Sequence, residues 1–363
     1  MATFPAFLRI LPAAALAAAL VATPRASAAA AERAPDSVVV AQWNAENFYD
    51  AEDDPDSSGD DHYSPGGWAR WTETRYRLKL TNIADVVSAM KPDILCIEEV
   101  ENRRVLEDLQ EVLASAFGWP MEHIVHKDSR DPRGLDCAML SRIKPARVKW
   151  LGATSGQHSS PCADFNLGGG ATLTVIGNHW KSRTGNAKIS AAKREVQADK
   201  VREEYRRCLE ADPAAAILVT GDFNDDIEDR VPLDCAMFRT NMTEVLEAGD
   251  CLFCLSSLLP KEKRGTFFYT SAKTWNSFDT INVSRGLLPD GVPASLFVAD
   301  FGSYRVYVED KMKMGEYGAP YPMRRNTHGE SPTYYDGYSD HFPVVVTLRR
   351  RTASAAVLPS RDF

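Results

Sequence analysis

The sequence predicts a mixed α/β fold in which strands and helices pack as a layered sandwich. Short runs rich in Val, Ile and Leu, bounded by Gly, Pro or Asp, recur along most of the chain, as is typical of buried strands. Two segments with helical spacing of apolar residues lie between them, at 72–90 and 190–209. The 363 residues contain no fixed-period repeat and no Ser/Gly-rich linker, so we predict a single domain over 37–350.

The first residues have the features of a secretory signal peptide. Arg9 precedes an apolar run that is too short to span a bilayer, and a small-x-small pattern ends at Ala28. We therefore predict a signal peptide over 1–28, secretion or export to the periplasm, and no stable membrane association. The alternative is an Ala-rich tail or an uncleaved anchor. Cleavage after Ala28 removes Arg9 and Arg25, which changes the net charge from −8 to −10.

The composition excludes several classes of protein. Hydrophobic residues make up 44% of the chain and charged residues 25%, which excludes disordered, collagen-like and polytopic membrane proteins. The 42 Lys and Arg against 50 Asp and Glu predict no basic surface for tight, static nucleic-acid binding. An enzyme that meets phosphates through a bound cation remains compatible with this balance, because the cation inverts the local charge.

Seven strand-like runs follow one another along the chain, and they lie at 38–48, 93–100, 134–140, 171–180, 214–223, 278–284 and 342–348. The helix predicted over 72–90 ends before Pro92, and the helix over 190–209 has Ser190 as its expected N-cap. Residues 351–363 are predicted to form a frayed C-terminal tail.

Export would place the seven cysteines in a compartment that permits disulfides. Cys96 and Cys137 lie within strand runs and are predicted to be buried thiols. The other five are an odd number, so at least one is unpaired if all disulfides lie within the chain. Cys251 and Cys254 have C-x-x-C spacing without a second pair, which favours a structural disulfide or buried thiols over a redox or zinc site.

Polar residues gather where the strand runs end. They are Asn44, Glu98, Glu99, Asn178, His179, Asp222 and Asn224, and Ser339-Asp340-His341 directly precedes the last run. Ligands bind at the carboxyl ends of strands in open α/β sheets, although Asn and Asp also commonly begin turns. The recurrence of this pattern favours a site. Carboxylate and amide oxygens beside histidines are typical of Mg²⁺-assisted hydrolysis of phosphate esters.

Seven strings, taken in order over about 300 residues, resemble the endonuclease/exonuclease/phosphatase superfamily. They are WNAENFYD (43–50), DILCIEEVEN (93–102), GLDCAML (134–140), IGNHWKS (176–182), VTGDFND (219–225), WNSFDTINVS (275–284) and YSDHFPV (338–344). The acidic loop EDDPDSSGDD and the helix start WTETRY are similar to the secreted bacterial branch. The resemblance implies a single-domain four-layer αββα sandwich, the deoxyribonuclease I-like fold, with all the motifs at one mouth.

The resemblance also implies a site for Mg²⁺ or Mn²⁺. Glu99 matches the principal metal ligand, Asn44 helps to position the metal or the phosphate, and Asp340 is similar to a second carboxylate of the metal site. The family usually has Gln where Glu98 stands, and strand alternation predicts that Glu98 and Glu99 face opposite ways. We expect Glu99 to face the metal because it matches the motif.

The implied catalytic residues are His341, Asp279, Asp222, Asn224, His179 and Asp136. Asp222 and Asn224 would hold the attacking water and a phosphate oxygen. His341 would be the acid/base group, oriented by a hydrogen bond to Asp279.

His179 matches a histidine that stabilises charge or protonates the leaving oxygen in deoxyribonuclease-like members. Asp136 lies where the carboxylate partner of that histidine is expected. Asn178 and Lys181, from the same motif as His179, are candidate substrate-binding residues.

The acidic loop after Asp50 contains Asp53, Asp54, Asp56, Asp60 and Asp61. A Ca²⁺ site is one interpretation, but the loop lacks EF-hand spacing and a bidentate Glu, which favours a solvated loop.

Together these features predict a secreted, divalent-metal-dependent phosphoesterase, with DNA or RNA as the expected substrate of a nuclease. The alternative is a phosphatase or a phospholipase C-type enzyme that acts on inositol phosphates or sphingomyelin. No long apolar hairpin or basic membrane-facing helix supports a lipid substrate. A non-catalytic binding module is disfavoured because every carboxylate, Asn and His of the motifs is present. No protein partner is inferred.

Overall fold

Two β-sheets stacked face to face carry the fold, and helices cover their outer faces. The structure, a computed structural model, describes residues 35–54, 58–129, 131–152, 158–327 and 331–351. The predicted signal peptide, the tail beyond Arg351 and Asp56 of the acidic loop lie outside the described residues.

The strands are, in chain order, β1 (Ser37–Phe48), β2 (Ile94–Val100), β3 (His123–Val125), β4 (Asp136–Ser141), β5 (Pro145–Leu151), β6 (Ser160–Gly168), β7 (Ala171–His179), β8 (Ala216–Asp222), β9 (Phe238–Arg239), β10 (Leu252–Cys254), β11 (Phe267–Tyr269), β12 (Thr274–Asn276), β13 (Asp279–Val283), β14 (Phe297–Val306), β15 (Lys313–Met314), β16 (Ala319–Pro320), β17 (Arg325–Asn326), β18 (Thr333–Tyr334) and β19 (Val344–Arg350). The α-helices are α1 (Glu73–Met90), α2 (Arg103–Ser115), α3 (Ala187–Ala211) and α4 (Met242–Ala248). Short helical turns lie at Asp61–Tyr63, Val231–Cys235, Leu255–Leu258, Lys261–Lys263, Arg285–Leu287 and Asp310–Met312.

The strands of the sandwich form two large sheets. The first has the order β14-β19-β1-β2-β4-β3, and the second has the order β5-β6-β7-β8-β13-β10-β9. Three two-stranded hairpins lie outside them, β11–β12, β15–β16 and β17–β18. Most neighbours in both sheets are antiparallel, but β1 runs parallel to β2, β7 to β8 and β9 to β10. The pairs β1–β2 and β7–β8 carry the site. The carboxyl ends of these parallel strands therefore reach the same edge of each sheet.

Three apolar clusters separate the four layers. Val38, Val40 and Ile94 of the first sheet pack with Val175 and Ile281 of the second sheet, between the two sheets. The alternate side chains of β1 and β2, with α1 and α2, form the cluster on the outer face of the first sheet. The cluster on the outer face of the second sheet joins β7 and β8 to α3. Alternation along the central strands thus buries both of their faces, and the αββα sandwich expected from the sequence is confirmed.

All seven predicted strand runs are strands, and both predicted helices are present. The sequence analysis missed α2, although its N-cap Asn102 and its apolar stripe of Val105, Leu109 and Leu113 are regular helix signals. It also missed β5 and β6, because β5 is largely exposed and reads as polar. No described helix is long and apolar enough to cross a bilayer.

The N-cap of α3 was predicted wrongly. Asn186 caps the helix, because its side chain accepts hydrogen bonds from the Lys188 and Ile189 amides. Ser190 lies one turn further on, where its hydroxyl donates to the Ala187 carbonyl. Asn ranks with Ser as an N-cap, so the sequence alone did not separate the two positions.

All seven cysteines are free thiols in the structure. Cys96, Cys137, Cys162, Cys251 and Cys254 are buried, so the C-x-x-C pair contributes two small apolar side chains to the interior around β10.

We predict that Gly221→Ala destabilises the site end of the fold. Gly221 has φ +148° in β8, and an added Cβ would lie 2.0 Å from the Asn178 carbonyl oxygen on β7. The disallowed backbone conformation and the displaced neighbour each cost about 1–3 kcal/mol. Urea denaturation should show this loss of unfolding free energy. Gly66→Ala is the control, since nothing lies within 4 Å of its added Cβ, and equal stability of the two variants would contradict the prediction.

Candidate active site

Strand register brings three polar side chains to one edge of the second sheet. His179 at the end of β7 lies opposite Asp222 at the end of β8, and Asp222 also lies opposite Asp279. β13 is antiparallel to β8, so its first residue, Asp279, reaches the edge where β8 ends. His341 enters from the loop before β19. The structure therefore brings these four predicted residues together.

His341 is held by hydrogen bonds on its ring and on its backbone. Its Nδ1 lies 2.7 Å from Asp279 Oδ2, and its carbonyl accepts from Trp43 Nε1 at 2.9 Å. Burial would lower the pKa of the imidazole, but the charges of Asp279 and Asp222 raise it well above its usual value. The two carboxylates thus favour the imidazolium, with Nδ1–H donating to Asp279 and Nε2–H left for the cleft.

Asp222 is held by three donors at the floor of the cleft. Its Oδ1 accepts from the Asn224 backbone amide at 2.8 Å, and its Oδ2 accepts from the side-chain amides of Asn224 and Asn44, both at 3.1 Å. Burial and the negative charge of Asp279 raise the pKa of Asp222 to about 7, against the opposing effect of His341. Its Oδ2 also lies 3.8 Å from His341 Nε2. The carboxyl group can therefore exchange a proton near neutral pH.

A β-bulge decides which of the two adjacent glutamates faces the cleft. The β2–β4 register shifts between Glu98 and Val100, and Glu99 has φ +60°. Glu98 points between the sheets, where its Oε2 accepts from Gln42 Nε2 at 2.9 Å, and Glu99 lines the cleft. Strict alternation would have turned Glu99 toward the helices, so the bulge is what redirects its side chain.

The two glutamates differ in charge as well. Burial raises the pKa of Glu98 well above its usual value, which favours the neutral carboxyl. Burial would also raise the pKa of Glu99, but the Arg133 guanidinium and the Asn47 amide lower it. Glu99 Oε2 accepts from Asn47 N at 2.8 Å, and its Oε1 lies 3.6 Å from Arg133. An ionised carboxylate is therefore present at the cleft surface.

The donor set at the cleft fits a hard divalent cation. Glu99, Asp340 and Asn44 all line it and offer oxygen atoms. Burial and the charge of Glu99 raise the pKa of Asp340, against the opposing effect of His341, so two carboxylates repel each other there. A cation would relieve that repulsion. Asn44 is the least free of the three, because its Oδ1 already accepts from the Glu46 amide at 3.0 Å.

A buried Lys–Glu pair, which the sequence analysis did not identify, lies behind Asp340. Burial and the charge of Asp340 raise the pKa of Glu46 to about 8, and burial lowers the pKa of Lys79 to about 8. Glu46 accepts from the Met323 amide at 2.9 Å, and Lys79 donates to the Tyr338 carbonyl at 2.6 Å. The Lys79 bond ties the loop that carries Asp340 to α1, and the Glu46 bond ties the segment before β17 to β1.

The predicted pairing of Asp136 with His179 is wrong. Asp136 lies at the start of β4, away from the cleft-lining residues, where its carboxylate contacts His126 Nε2 at 3.0 Å and accepts from the Ser129 amide at 2.8 Å. The same carboxylate, with His126 and Asp128, forms a separate polar group. The positions of the motifs along the chain suggested that Asp136 pairs with His179. Its partner in the structure is His126, from the loop after β3.

His179 instead stacks on His158, a cleft residue that no motif indicated. The two rings are 4.4 Å apart and nearly parallel. Burial, and then the nearby His158 and Arg133, lower the pKa of His179 well below its usual value, so the ring is neutral. Its Nε2 lies 3.7 Å from Asp222 and 3.8 Å from Glu99, and its buried Nδ1 has no protein partner among the described residues.

The two substrate-binding predictions have different outcomes. Asn178 is fully buried and does not line the cleft. Its Oδ1 accepts from Ser160 and its Nδ2 donates to the Thr220 carbonyl, so Asn178 joins strands and cannot contact a substrate. Lys181 does line the cleft, together with Arg133 and Arg183. The sequence did not indicate Arg133, because it lies in a loop between motifs.

The acidic loop gathers some of its predicted residues. Carboxylate oxygens of Asp53, Asp60 and Asp61 lie within 4.8 Å of one another. Asp60 is buried, and its Oδ2 accepts from the Asp54 amide at 2.7 Å. Calcium binding by this loop stays a prediction.

The cleft has a volume of about 610 Å³ and contains the His341–Asp279 pair, the Asp222 carboxyl with a pKa of about 7, and carboxylate oxygens suited to a metal. An αββα sandwich with this site defines a metal-assisted phosphoesterase. The chain belongs to the endonuclease/exonuclease/phosphatase family, whose sequence model matches residues 39–350. Enzymes of this family are hydrolytic phosphoesterases and typically depend on a divalent metal.

Solved structures share the fold at low sequence identity. Truncated TDP2 of Caenorhabditis elegans matches with a TM-score of 0.51 and 16% identity, over 86% of this chain and 98% of that one. A mannosyl-6-phosphatase of Bacteroides thetaiotaomicron matches with a TM-score of 0.50 and 18% identity, over 86% and 99%. The human Nocturnin catalytic domain matches with a TM-score of 0.50 and 15% identity, over 87% and 95%. No protein with a curated description matches by sequence.

The two adjacent glutamates should respond differently to removal of their charge. Glu99→Gln should raise the Mn²⁺ concentration needed for half-maximal hydrolysis of bis-p-nitrophenyl phosphate at least about 10-fold, because it removes a carboxylate from the cleft. Glu98→Gln is the matched control, since an amide replaces a buried carboxyl whose neutral form is favoured and still accepts from Gln42. A larger defect in Glu98→Gln would show that the metal site is misassigned.

Asp279→Asn should lower kcat on the order of 10²-fold or more while the fold is retained. The substitution keeps the size of the side chain but removes the charge that holds His341 protonated. NMR titration should then show a lower pKa for His341. Asp300→Asn, at an exposed ion pair with Arg349 on the sheet edge, should leave both values unchanged. Wild-type turnover in Asp279→Asn would exclude a catalytic role for the pair.

Proposed function

We propose that the chain is a divalent-metal-dependent nuclease that hydrolyses phosphodiester bonds of DNA or RNA. We further propose that it acts outside the cytoplasm, after removal of residues 1–28. The observation that carries the proposal is the His341–Asp279 pair facing Asp222 in a cleft that also contains carboxylates and cations. This arrangement provides an acid, a base and charge stabilisation within a few ångströms.

Glu99 and Asp340 would hold the metal ion, with Asn44 beside them. When bound, the ion would neutralise charge on the phosphate and lower the barrier to attack on phosphorus. The carboxylate repulsion at this point of the cleft supports the assignment, because two like charges are otherwise costly at a buried site.

Asp222 would accept a proton from the attacking water. Its pKa of about 7 places it near the optimum for a general base at neutral pH. The two amide donors from Asn224 fix the orientation of the carboxylate, and Asn44 fixes its second oxygen. Asn224 adopts φ +51°, a conformation that Asn tolerates better than most residues, and this brings both of its donors to Asp222.

His341 would act as a hydrogen-bond donor and acid. Its Nδ1–H is engaged by Asp279, so Nε2–H is the atom available to a phosphate oxygen as negative charge develops. His179 is neutral and would contribute a hydrogen bond without delivering net charge. Lys181 and Arg133 would contact the flanking phosphates from the rim of the cleft.

Chelation should abolish hydrolysis, and Mg²⁺ or Mn²⁺ should restore it. The assay uses the mature chain with plasmid, single-stranded DNA, RNA, inositol phosphates, a sugar phosphate and sphingomyelin as parallel substrates. Asp222→Ala and His341→Ala should each lower kcat on the order of 10²-fold or more. Activity that survives the chelator would contradict the metal assignment. Hydrolysis confined to the phosphomonoesters or to sphingomyelin would contradict the nuclease function and support the phosphatase or phospholipase C-type alternative.

A further inference from the structure

Aromatic rings lead outward from His341 along one wall of the cleft. The Phe267 ring centroid lies 4.9 Å from that of His341, and the Tyr269 centroid lies 6.4 Å from that of Phe267. Both residues belong to β11 and line the cleft. They are two positions apart, so strand alternation places them on the same face of the β11–β12 hairpin.

The opposite face of the same hairpin is packed. Phe268, between the two cleft residues, is 7% exposed, with its ring centroid 5.2 Å from those of Trp275 and Tyr317. Tyr269 is 53% exposed. Phe268 therefore anchors the hairpin by packing, and the Tyr269 ring remains exposed in the cleft.

The cleft also has cationic groups near this aromatic wall. The Arg183 guanidinium lies 4.8 Å from the centroid of Phe278, whose ring stacks on Phe267 at 5.5 Å. Lys181 makes no ion pair with a carboxylate in the described part of the chain. Burial and repulsion from Arg133 lower the pKa of its ammonium, as expected where cations converge. Aromatic rings and cationic side chains therefore line the same cleft.

We propose that Phe267 and Tyr269 form a stacking site for an unpaired base next to the scissile phosphate, so that the enzyme prefers single-stranded nucleic acid to duplex. The proposal rests on the proposed nuclease function and narrows its substrate. Aromatic side chains stack on any base, because every base has a π-face. In a duplex those faces are covered by neighbouring base pairs, and exposing one costs unstacking energy. Inositol phosphates carry no aromatic face.

Charge complementarity supports the same occupant. A single strand presents a phosphate on one side of each sugar and a base on the other. With the scissile phosphate at His341 and Asp222, Lys181 can meet the backbone. The adjacent base then reaches Phe267 and Tyr269. This pairing of a stacking surface with a cationic groove is the general physical basis of single-strand binding.

The test compares three substrates with the holoenzyme in Mn²⁺. They are a single-stranded oligonucleotide, the same strand in a duplex, and a strand of equal length whose sugars carry no bases. The wild type should cleave the single strand with a higher kcat/KM than the duplex. Tyr269→Ala should lower kcat/KM for the single strand about 5- to 100-fold, the range that one base–aromatic contact supplies. Its kcat/KM for the baseless strand should change less than about 2-fold, and Tyr269→Phe should retain activity on both.

Tyr317→Ala is the matched control, because Tyr317 is a similarly exposed ring, 43% exposed, that contacts the packed face of the hairpin. Tyr317→Ala should leave kcat/KM for all three substrates unchanged. An equal loss on the single strand and the baseless strand in Tyr269→Ala would overturn the stacking site, as would a wild-type preference for the duplex. Neither of these two results would contradict the proposed nuclease function. Absence of hydrolysis of any nucleic acid by the wild type would instead overturn the proposed function itself.

Discussion

The side-chain amide of Gln42 joins the two sheets at the end where their apolar packing stops. Its Nε2 donates to Glu98 Oε2 at 2.9 Å and to Asp279 Oδ1 at 2.8 Å, and all three side chains are buried. Val38 and Val40, which precede Gln42 in β1, lie on the same face of the strand. A buried carboxylate is costly unless its oxygens accept hydrogen bonds. Gln42 satisfies one oxygen of Asp279 from the opposite sheet, and the other oxygen is then directed at His341, so the catalytic pair depends on how the sheets face each other.

The charge of the cleft differs from the charge of the whole chain. The net charge is −8, yet Arg133, Lys181 and Arg183 line the same trough as Asp222 and Glu99. Local charge, and not the total, decides whether an anion enters a site, because exposed charges further away than about 10 Å are largely screened. The net acidity of the chain therefore does not by itself exclude a phosphodiester from the cleft.

Seven of the strands and the two longest helices could be predicted because their signals are local. Period-two and period-3.6 patterns are visible within ten or twenty residues, and the ordered motifs identified the family. The directions in which adjacent polar side chains face were harder to predict. Glu99 reaches the cleft only through a bulge at φ +60°, and Asn178, one residue before His179, is fully buried. Asp136 was assigned to the wrong histidine because a motif gives the order of residues along the chain and not their distances in space.

By itself the sequence determined most of the buried strand segments and the set of acids, amides and histidines available at the strand ends, and its resemblance to a family implied the order of the layers. Only the tertiary structure decided which of them meet. Asp279 and His341 are 62 residues apart, and Phe267 contacts His341 from β11, a strand that no motif includes. Burial patterns arise from each residue's own hydrophobicity and its neighbours along the chain. Register, bulges and loop positions are set by the combined packing of distant segments, and no short stretch of sequence encodes them.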